Sequence, residues 1–462
     1  MANNASPVAS APAFVILLGL CAAIWTRCAG LPAPAALAVS LSAAAAWVFL
    51  GSRRAAVGFA PELAVMLLLL SFLSVFSFYS MSKQGSFPST VDTEARVASS
   101  RKWGRSAALL LDTPYGRAAA YVPVGRAAAE GSLVKIRAAV FDFDRAERGR
   151  GFDEYLFWHA KGALKKLVTL DIRTTAPPSG FARWRGLLAE RIKETLPERM
   201  AGYMLALTVG ARDEKLSDLH RNTGTLHLLA VSGFHVAIAA WLAMLLFQSG
   251  LLRIVGVSAV VWLYVVFAGA PAGGLRAAIM LQIYLLGLAV GRPSSGFNSV
   301  SAAGVLLLSW NPWYFFDVGW QLSMSAALFI AAAPPLAGKS WRSAALVSML
   351  VWLVTAPLVA YYFDDLPLAG LFVNLFAVPL FGLLFPAILA CSLPSLLGLP
   401  LLAPLAAGVC EYILEAWEIL SGLIAGLLPW RIGFTPQLAV LGAVFFLSAA
   451  AYACGFFKLR SA

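Results

Sequence analysis

Charge is what this chain has least of. Only 13% of its 462 residues are Asp, Glu, Lys or Arg, against 60% hydrophobic residues and a mean hydropathy of +0.78, a balance that excludes an ordinary soluble globule. Histidine is scarcer still. His159, His220, His227 and His235 are the whole complement, too few and too scattered for the dense ligand sets of hydrolytic metal centres. His227 and His235 lack HExxH spacing and a helical carboxylate partner, so no metal and no other cofactor is expected. The five cysteines, Cys21, Cys28, Cys391, Cys410 and Cys454, sit in or beside apolar runs without CxxC spacing; they read as small core residues and leave the redox compartment open. A GxSxG elbow is missing as well: Ser232 and His235 could share a helical face, but no nearby acid orients the imidazole, which argues against a hydrolase. "APPLAGKS", Ala333 to Ser340, loosely resembles a phosphate-binding loop, yet it starts on Ala, carries two prolines and lies between apolar runs rather than between a strand and a soluble helix. Neither an enzyme nor a nucleotide-binding protein is expected.

What the chain has in abundance is apolar runs long enough to cross a hydrocarbon core of roughly 30 Å, from "PAFVILLGLCAAIW" near the start to "LAVLGAVFFLSAAAYACGFF" near the end. Met1 to Pro12 holds no Lys or Arg, so the first run reads as a retained span rather than a cleaved signal. Three spans are expected near 12–30, 34–51 and 59–80, with Arg53 and Arg54 in a short link between the second and third. Basic residues in short loops favour the inner face, which would start the chain inside and deliver the region after the third span to the outside.

That region is the one long polar stretch. Residues 81–200 hold 21 Lys or Arg against 13 Asp or Glu, and so supply +8 of the chain's formal +12. "AALLLDTPYGRAAAYVPV" reads as two strands about a Pro/Gly turn, "SLVKIRAAVFDFD" as a third, "FDEYLFWHAKGALKKL" as a helix and "VTLDIRTT" as a last strand. Val134, Ile136, Ala138 and Val140 alternate with Lys135 and Arg137, as a half-buried strand with a basic outer face requires. Short strands around one helix suit a small barrel such as an OB-fold. Such barrels often hold single-stranded nucleic acid with cations for phosphates and exposed aromatics for bases. Here the cations are Arg96, Arg101, Lys102, Arg105, Arg117, Arg126, Lys135 and Arg137, with Trp103, Tyr115 and Tyr121 among them. A basic surface facing anionic lipid is the plainer alternative. "FARWRGLLAERIKETLPERM" then alternates apolar and charged residues at helical spacing, as a helix lying along the membrane surface would.

The expected architecture is therefore a polytopic α-helical membrane protein with an inserted small β-barrel, OB-like, on the extracytoplasmic side. Its divisions are three spans in 1–80, the insert in 81–178, an interfacial amphipathic helix in 179–200 and a multi-span region in 201–462. Polar residues interrupt that last region. "NTGTLHLLAVSGFHV" places Thr223, Thr225, His227, Ser232 and His235 at the mouth of an apolar run; "GAPAGGLRAAIM" contributes Arg276; "NPWYFFDVGWQLSMSAAL" contributes Asp317, Gln321 and Ser323; "LAGLFVNLFAVPLF" contributes Asn374. A charge at the bilayer centre costs roughly 2.5–3.5 kcal/mol on insertion scales, so such groups usually face a bundle interior or a wet cavity. The adjoining Gly233, Gly269, Pro271, Gly273 and Gly274 point to broken helices, which membranes tolerate where they line a cavity.

Four segments in order carry a family resemblance. "HLLAVSGFHV" is similar to HLLAxSGxHV, "GGLRAAIM" to a glycine-rich LRAxxM, "NPWYFFDVGWQLS" to NPxxxxDxGxQLS and "LAGLFVNLFAVPL" to LxGLxxNLxAVPL, signatures of the ComEC competence family. The resemblance implies an inner-membrane channel that admits one DNA strand during natural transformation, with the insert as receiving module. It makes His227, Ser232, His235, Arg276, Asp317, Gln321, Ser323 and Asn374 lining or gating positions, with interhelical bracing as the plainer role for any one of them. It also implies partners: single-stranded DNA, membrane lipid, an extracytoplasmic DNA receptor and a cytoplasmic ATP-driven helicase. Many members continue into a metallo-β-lactamase-like domain with an HxHxDH cluster; this sequence contains no such cluster, so a separate nuclease is expected to degrade the discarded strand. A small-solute transporter is the alternative from another class, disfavoured by the lack of an internal repeat and by an insert for which it has no use.

Overall fold

The computed structural model describes residues 11–52, 60–82, 86–146, 152–211, 213–291, 295–333, 340–399 and 401–453. Arg53, Arg54, Cys454 and most of the "APPLAGKS" stretch lie outside them. The other four cysteines are free thiols.

Three helices open the chain: α1 (Pro12–Cys28), α2 (Ala33–Ser52) and α3 (Ala60–Ser82), at the positions expected of the first three spans. Leu17, Leu20 and Ile24 of α1 pack with Met66 and Leu70 of α3, and a buried Ser40–Ser74 hydrogen bond of 2.9 Å joins α2 to α3. In a membrane such bonds and close steric fit hold helices together, because lipid gives no hydrophobic drive between them.

The polar stretch then folds as a five-stranded closed barrel of β1 (Thr90–Trp103), β2 (Ser106–Thr113), β3 (Gly116–Pro123), β4 (Leu133–Phe141) and β5 (Lys165–Ala176), in the order β1-β2-β3-β5-β4. Only β3 and β5 run parallel. Closure leaves no free sheet edge. Val134, Ile136 and Ala138 point into a core shared with Leu109, Leu111 and Leu167, Val140 packs against its margin, and Lys135 and Arg137 face outward, as their alternation requires. Two details differ from the sequence reading. The helix α4 is confined to Glu154–Ala160, because Gly162, at φ +82°, turns the chain so that Leu164 donates to the Arg117 carbonyl at 2.8 Å and β5 can begin. The first strand, β1, closes the barrel against both β2 and β4 and carried no strong apolar signal.

The amphipathic stretch forms α5 (Gly180–Thr195), which stops before Pro197 rather than running on to 200; Pro197 has no N–H to extend it and instead caps α6 (Glu198–Thr208). Phe181, Trp184 and Leu187 of α5 stay exposed along one side, while Ile192 is fully buried beside Met200 and Tyr203 of α6. The remaining helices are α7 (Glu214–Asn222), α8 (Gly233–Leu246), α9 (Gly250–Phe267), α10 (Ala272–Ala289), α11 (Gly296–Trp310), α12 (Val318–Ala332), α13 (Trp341–Phe363), α14 (Ala369–Leu396), α15 (Ala403–Leu427) and α16 (Pro436–Ala453). A two-residue ladder pairs β6 (Leu366–Pro367) with β7 (Arg431–Ile432). Six helices among the described residues are long and apolar enough to cross a membrane, namely the 65–82 part of α3, then α9, α10, α13, α14 and α16. The chain is a multi-pass helical membrane protein bearing a small barrel. The glycines and prolines expected to break helices lie at their starts: Gly233 opens α8, and Gly269, with φ +86°, turns the chain before Pro271 caps α10.

Candidate functional site

The four family-like segments, spread from His227 to Leu380, meet in one region. Its first wall is the link between α7 and α8. Gly224, at φ +70°, brings its backbone so close to Gly370 that an added Cβ would stand 2.7 Å from the Gly370 Cα, which is why both positions lack side chains. Behind this contact lies a buried polar chain: Thr223 Oγ1 to Thr225 Oγ1 at 2.7 Å, Thr225 Oγ1 to His220 Nδ1 at 2.8 Å and His220 Nε2 to Tyr203 Oη at 2.9 Å. It braces the turn against α6, so that the next residues need not be helical. The Asn374 side-chain amide of α14 approaches the Gly224 carbonyl at 3.5 Å, and its buried Oδ1 has no partner.

His227 comes next, in a short 3-10 turn, Leu226–Leu229, and is exposed. Ser232 caps α8, and His235 Nδ1 accepts the Ser232 backbone N–H at 3.1 Å. That leaves the proton on Nε2, which is buried and bonded to nothing. The His235 ring meets Phe385 of α14 edge-on at 4.9 Å.

The second wall is the start of α10. Gly273 lies against Val231 and Ser232, where a Cβ would come within 3.0 Å of the Val231 carbonyl. Three residues on, Arg276 is only 3% exposed. Its Nη2 donates to the Gly319 carbonyl at 2.9 Å, while Nε and Nη1 are buried without partners among the described residues. Gly319 belongs to the first turn of α12, which Asp317 caps by accepting the Trp320 N–H at 2.8 Å. Gln321 donates to the Phe315 carbonyl at 2.8 Å, and Ser323, two residues further along α12, is half-buried. His227, Ser232, His235, Arg276 and Asn374 thus gather at the meeting of the two walls, whereas Asp317 and Gln321 bind the turn behind it. Among the described residues no group of three or more His, Cys, Asp or Glu is arranged to hold a metal.

Sequence reasoning missed the seat of the insert. The Lys161 ammonium lies 2.7 Å from Asp317 Oδ2, the Asn311 amide donates to the Ala160 carbonyl at 3.2 Å, and the Tyr155 and His159 rings pack on Trp313. Burial holds the His159 imidazole below its ordinary range. A second anchor pairs Arg185 of α5 with Glu130.

On the insert, all eight basic residues are exposed, but they are not equivalent. The strand register sets Asp92 opposite Arg137 and Glu94 opposite Lys135 on one flank, and Asp171 and Arg173 on the other, so that face alternates in sign. Arg117 pairs with Asp112 at 2.6 Å, and Lys102 with Glu214 of α7 at 2.5 Å. Arg101, Arg105 and Arg126 sit at the barrel end bearing the β1–β2 turn, where Arg101 faces Ala108 and, among the described residues, none of the three forms an ion pair. Of the three aromatics, Tyr115 is exposed, whereas Tyr121 accepts from Trp158 and donates to Glu154, and Trp103 is packed among Phe152, Phe157 and Trp158.

A bundle of apolar helices with a small barrel docked on it through Lys161 and Asp317 defines a multi-pass membrane protein. The chain belongs to the Competence protein family, whose profile matches residues 207–458. It is 27% identical over 239 residues to ComE operon protein 3 of Bacillus subtilis (strain 168), covering 50% of this chain and 30% of that protein. It is 32% identical over 154 residues to the uncharacterized protein YcaI of Escherichia coli (strain K12), covering 32% and 19%. An uncharacterized protein of Aquifex aeolicus (strain VF5) is 27% identical over 239 residues, covering 49% and 58%. The matched region spans less than two thirds of each of these relatives. No solved structure matches the chain.

Proposed function

We propose that the bundle is the conduit through which a single DNA strand crosses the bacterial inner membrane during natural transformation, and that it acts as a channel rather than an enzyme. The observation that carries this reading is the convergence of the four family segments on buried donors that have no partner among the described residues: Arg276 Nε and Nη1, and His235 Nε2. A buried unpaired donor is costly, and a cationic fork is costlier still, unless the working state supplies an acceptor. Phosphate oxygens supply one at every nucleotide. The exposed His227 fits a lining position. On this reading the insert faces the extracytoplasmic side, α5 lies on the lipid surface through Phe181, Trp184 and Leu187, an extracytoplasmic receptor delivers DNA, a cytoplasmic ATP-driven helicase pulls it, and a separate nuclease removes the other strand.

The barrel carries its own core, so residues 81–178 can be tested alone. They should bind oligothymidylate without sequence preference, and each phosphate contact should add about 0.7 to the magnitude of the log–log salt slope. Arg101→Glu with Arg105→Glu should lower that magnitude by about 1.4, whereas Lys135→Glu with Arg137→Glu, on the acid-matched face, should lower it by less. Equal effects, or no binding at low salt, would reduce the insert to a spacer.

The full chain should leave single- and double-stranded DNA intact in magnesium, manganese or zinc. Two-metal cleavage needs ions roughly 3.5–4 Å apart, each with several ligands. The adjacent pair Asp364 and Asp365 is a helix end: Asp364 takes a left-handed turn at φ +50° after α13, and Asp365 pairs with Arg431 across the β6–β7 ladder. Metal-dependent cutting that vanishes on changing both to Asn would contradict the channel reading.

A further inference from the structure

Asp317 has two carboxylate oxygens and both are engaged. Oδ1 accepts the Trp320 N–H at 2.8 Å, and Oδ2 accepts from Lys161 at 2.7 Å. Gly319 allows this, because a Cβ there would come within 3.0 Å of Oδ1. Arg276 is the other cation whose field reaches this carboxylate, and it is already tied to Gly319, two residues away. Yet Arg276 does not pair with Asp317, and its Nε and Nη1 are left bare. A buried carboxylate beside a buried guanidinium would ordinarily close on it, since two unpaired charges in a desolvated site cost far more than one pair. Asp317 Oδ2 is held instead by a lysine from a different part of the molecule, 156 positions away in sequence. Lys161 is held there by the seating of α4, through the Asn311 bond to Ala160 and the stacking of Tyr155 and His159 on Trp313.

We infer that Lys161 is a positioning residue for an anion site at Arg276: by occupying Asp317 it keeps that carboxylate from claiming the guanidinium, so Arg276 can receive a backbone phosphate only while the insert is seated. When α4 lifts, Asp317 turns to Arg276 and the site closes. Docking of the insert and affinity for phosphate are then coupled, and by linkage a bound strand holds the insert down. This inference rests on the proposed conduit but assigns Asp317 to a latch rather than to the lining.

The test is binding of fluorescein-labelled oligothymidylate to the full chain in lipid nanodiscs, measured by anisotropy over a range of salt. Lys161→Gln should weaken binding about tenfold, a loss of about 1.4 kcal/mol. Lys161→Gln with Asp317→Asn should regain most of that loss, because asparagine still caps α12 but carries no charge to hold Arg276. Asp317→Asn alone should tighten binding; it also carries the test if Lys161→Gln does not accumulate in membranes. A double variant as weak as Lys161→Gln, an unaffected Lys161→Gln, or weakened binding in Asp317→Asn would overturn the latch while leaving the conduit standing. Wild-type binding that ignores Arg276→Leu would overturn both.

Discussion

Cells carrying Arg276→Leu should take up DNA at least about 100-fold less well than wild type, with the protein still present in the membrane at normal levels. The two halves of this result have separate causes. Arg276 sits in the first turns of α10 with 3% of its surface exposed, so leucine removes a charge whose placement costs roughly 2.5–3.5 kcal/mol on insertion scales. Insertion should therefore be at least as favourable as before. The bond lost is the one to the Gly319 carbonyl, so bracing of α10 on α12 suffers modestly. What disappears outright is the cationic fork with two bare nitrogens. Transformation frequency and immunoblotting of membrane fractions read the two halves together. A stable variant that transforms normally would mean that Arg276 only braces helices.

Gly224→Ala should be a severely damaging single methyl. Its residue sits at φ +70°, which alone costs an alanine of the order of 1 kcal/mol, and the new Cβ would lie 2.7 Å from the Gly370 Cα, a backbone atom that cannot step aside. Either the 223–225 turn or the start of α14 must move, and the Tyr203–His220–Thr225 chain and the Asn374 contact move with it. Gly30 is the matched control, because it has a similar φ of +82° with nothing within 4 Å of its Cβ position. In detergent, Gly224→Ala should lose several degrees of thermal stability and most DNA uptake, whereas Gly30→Ala should lose little of either. Equal losses would show that backbone strain alone decides, and that the close approach of the two segments is not what shapes the site.

The contrast between these residues and the insert's seat shows what a single sequence reveals. Arg276, Asp317 and His235 stand out because polar groups in apolar runs are expensive, and that cost is local. The barrel is visible for a similar reason, since Val134, Ile136 and Ala138 alternate with Lys135 and Arg137. Strand β1 hid because its inward positions include Ala95 beside Val91 and Val97, among outward Asp92, Glu94 and Arg96, which is too little apolar mass to register as alternation. The end of α4 turned on Gly162, whose left-handed φ is a helix stop written in one residue and passed over. The salt bridge from Lys161 to Asp317, the bond from Asn311 to Ala160 and the contact of Gly224 with Gly370 join residues about 150 positions apart, and no local pattern encodes such pairings. For that reason the sequence marks Asp317 as unusual but cannot name its partner.

The central claim is that this chain is the route by which a DNA strand reaches the cytoplasm. Its most direct test is a clean chromosomal deletion, with competent cells then exposed to terminally labelled DNA and external DNA removed with nuclease. DNA should still bind at the cell surface, but no labelled single strand should appear in the cytosolic fraction, and re-expression of the chain should restore it. Wild-type amounts of labelled strand in the cytosol of the deletion mutant would contradict the account.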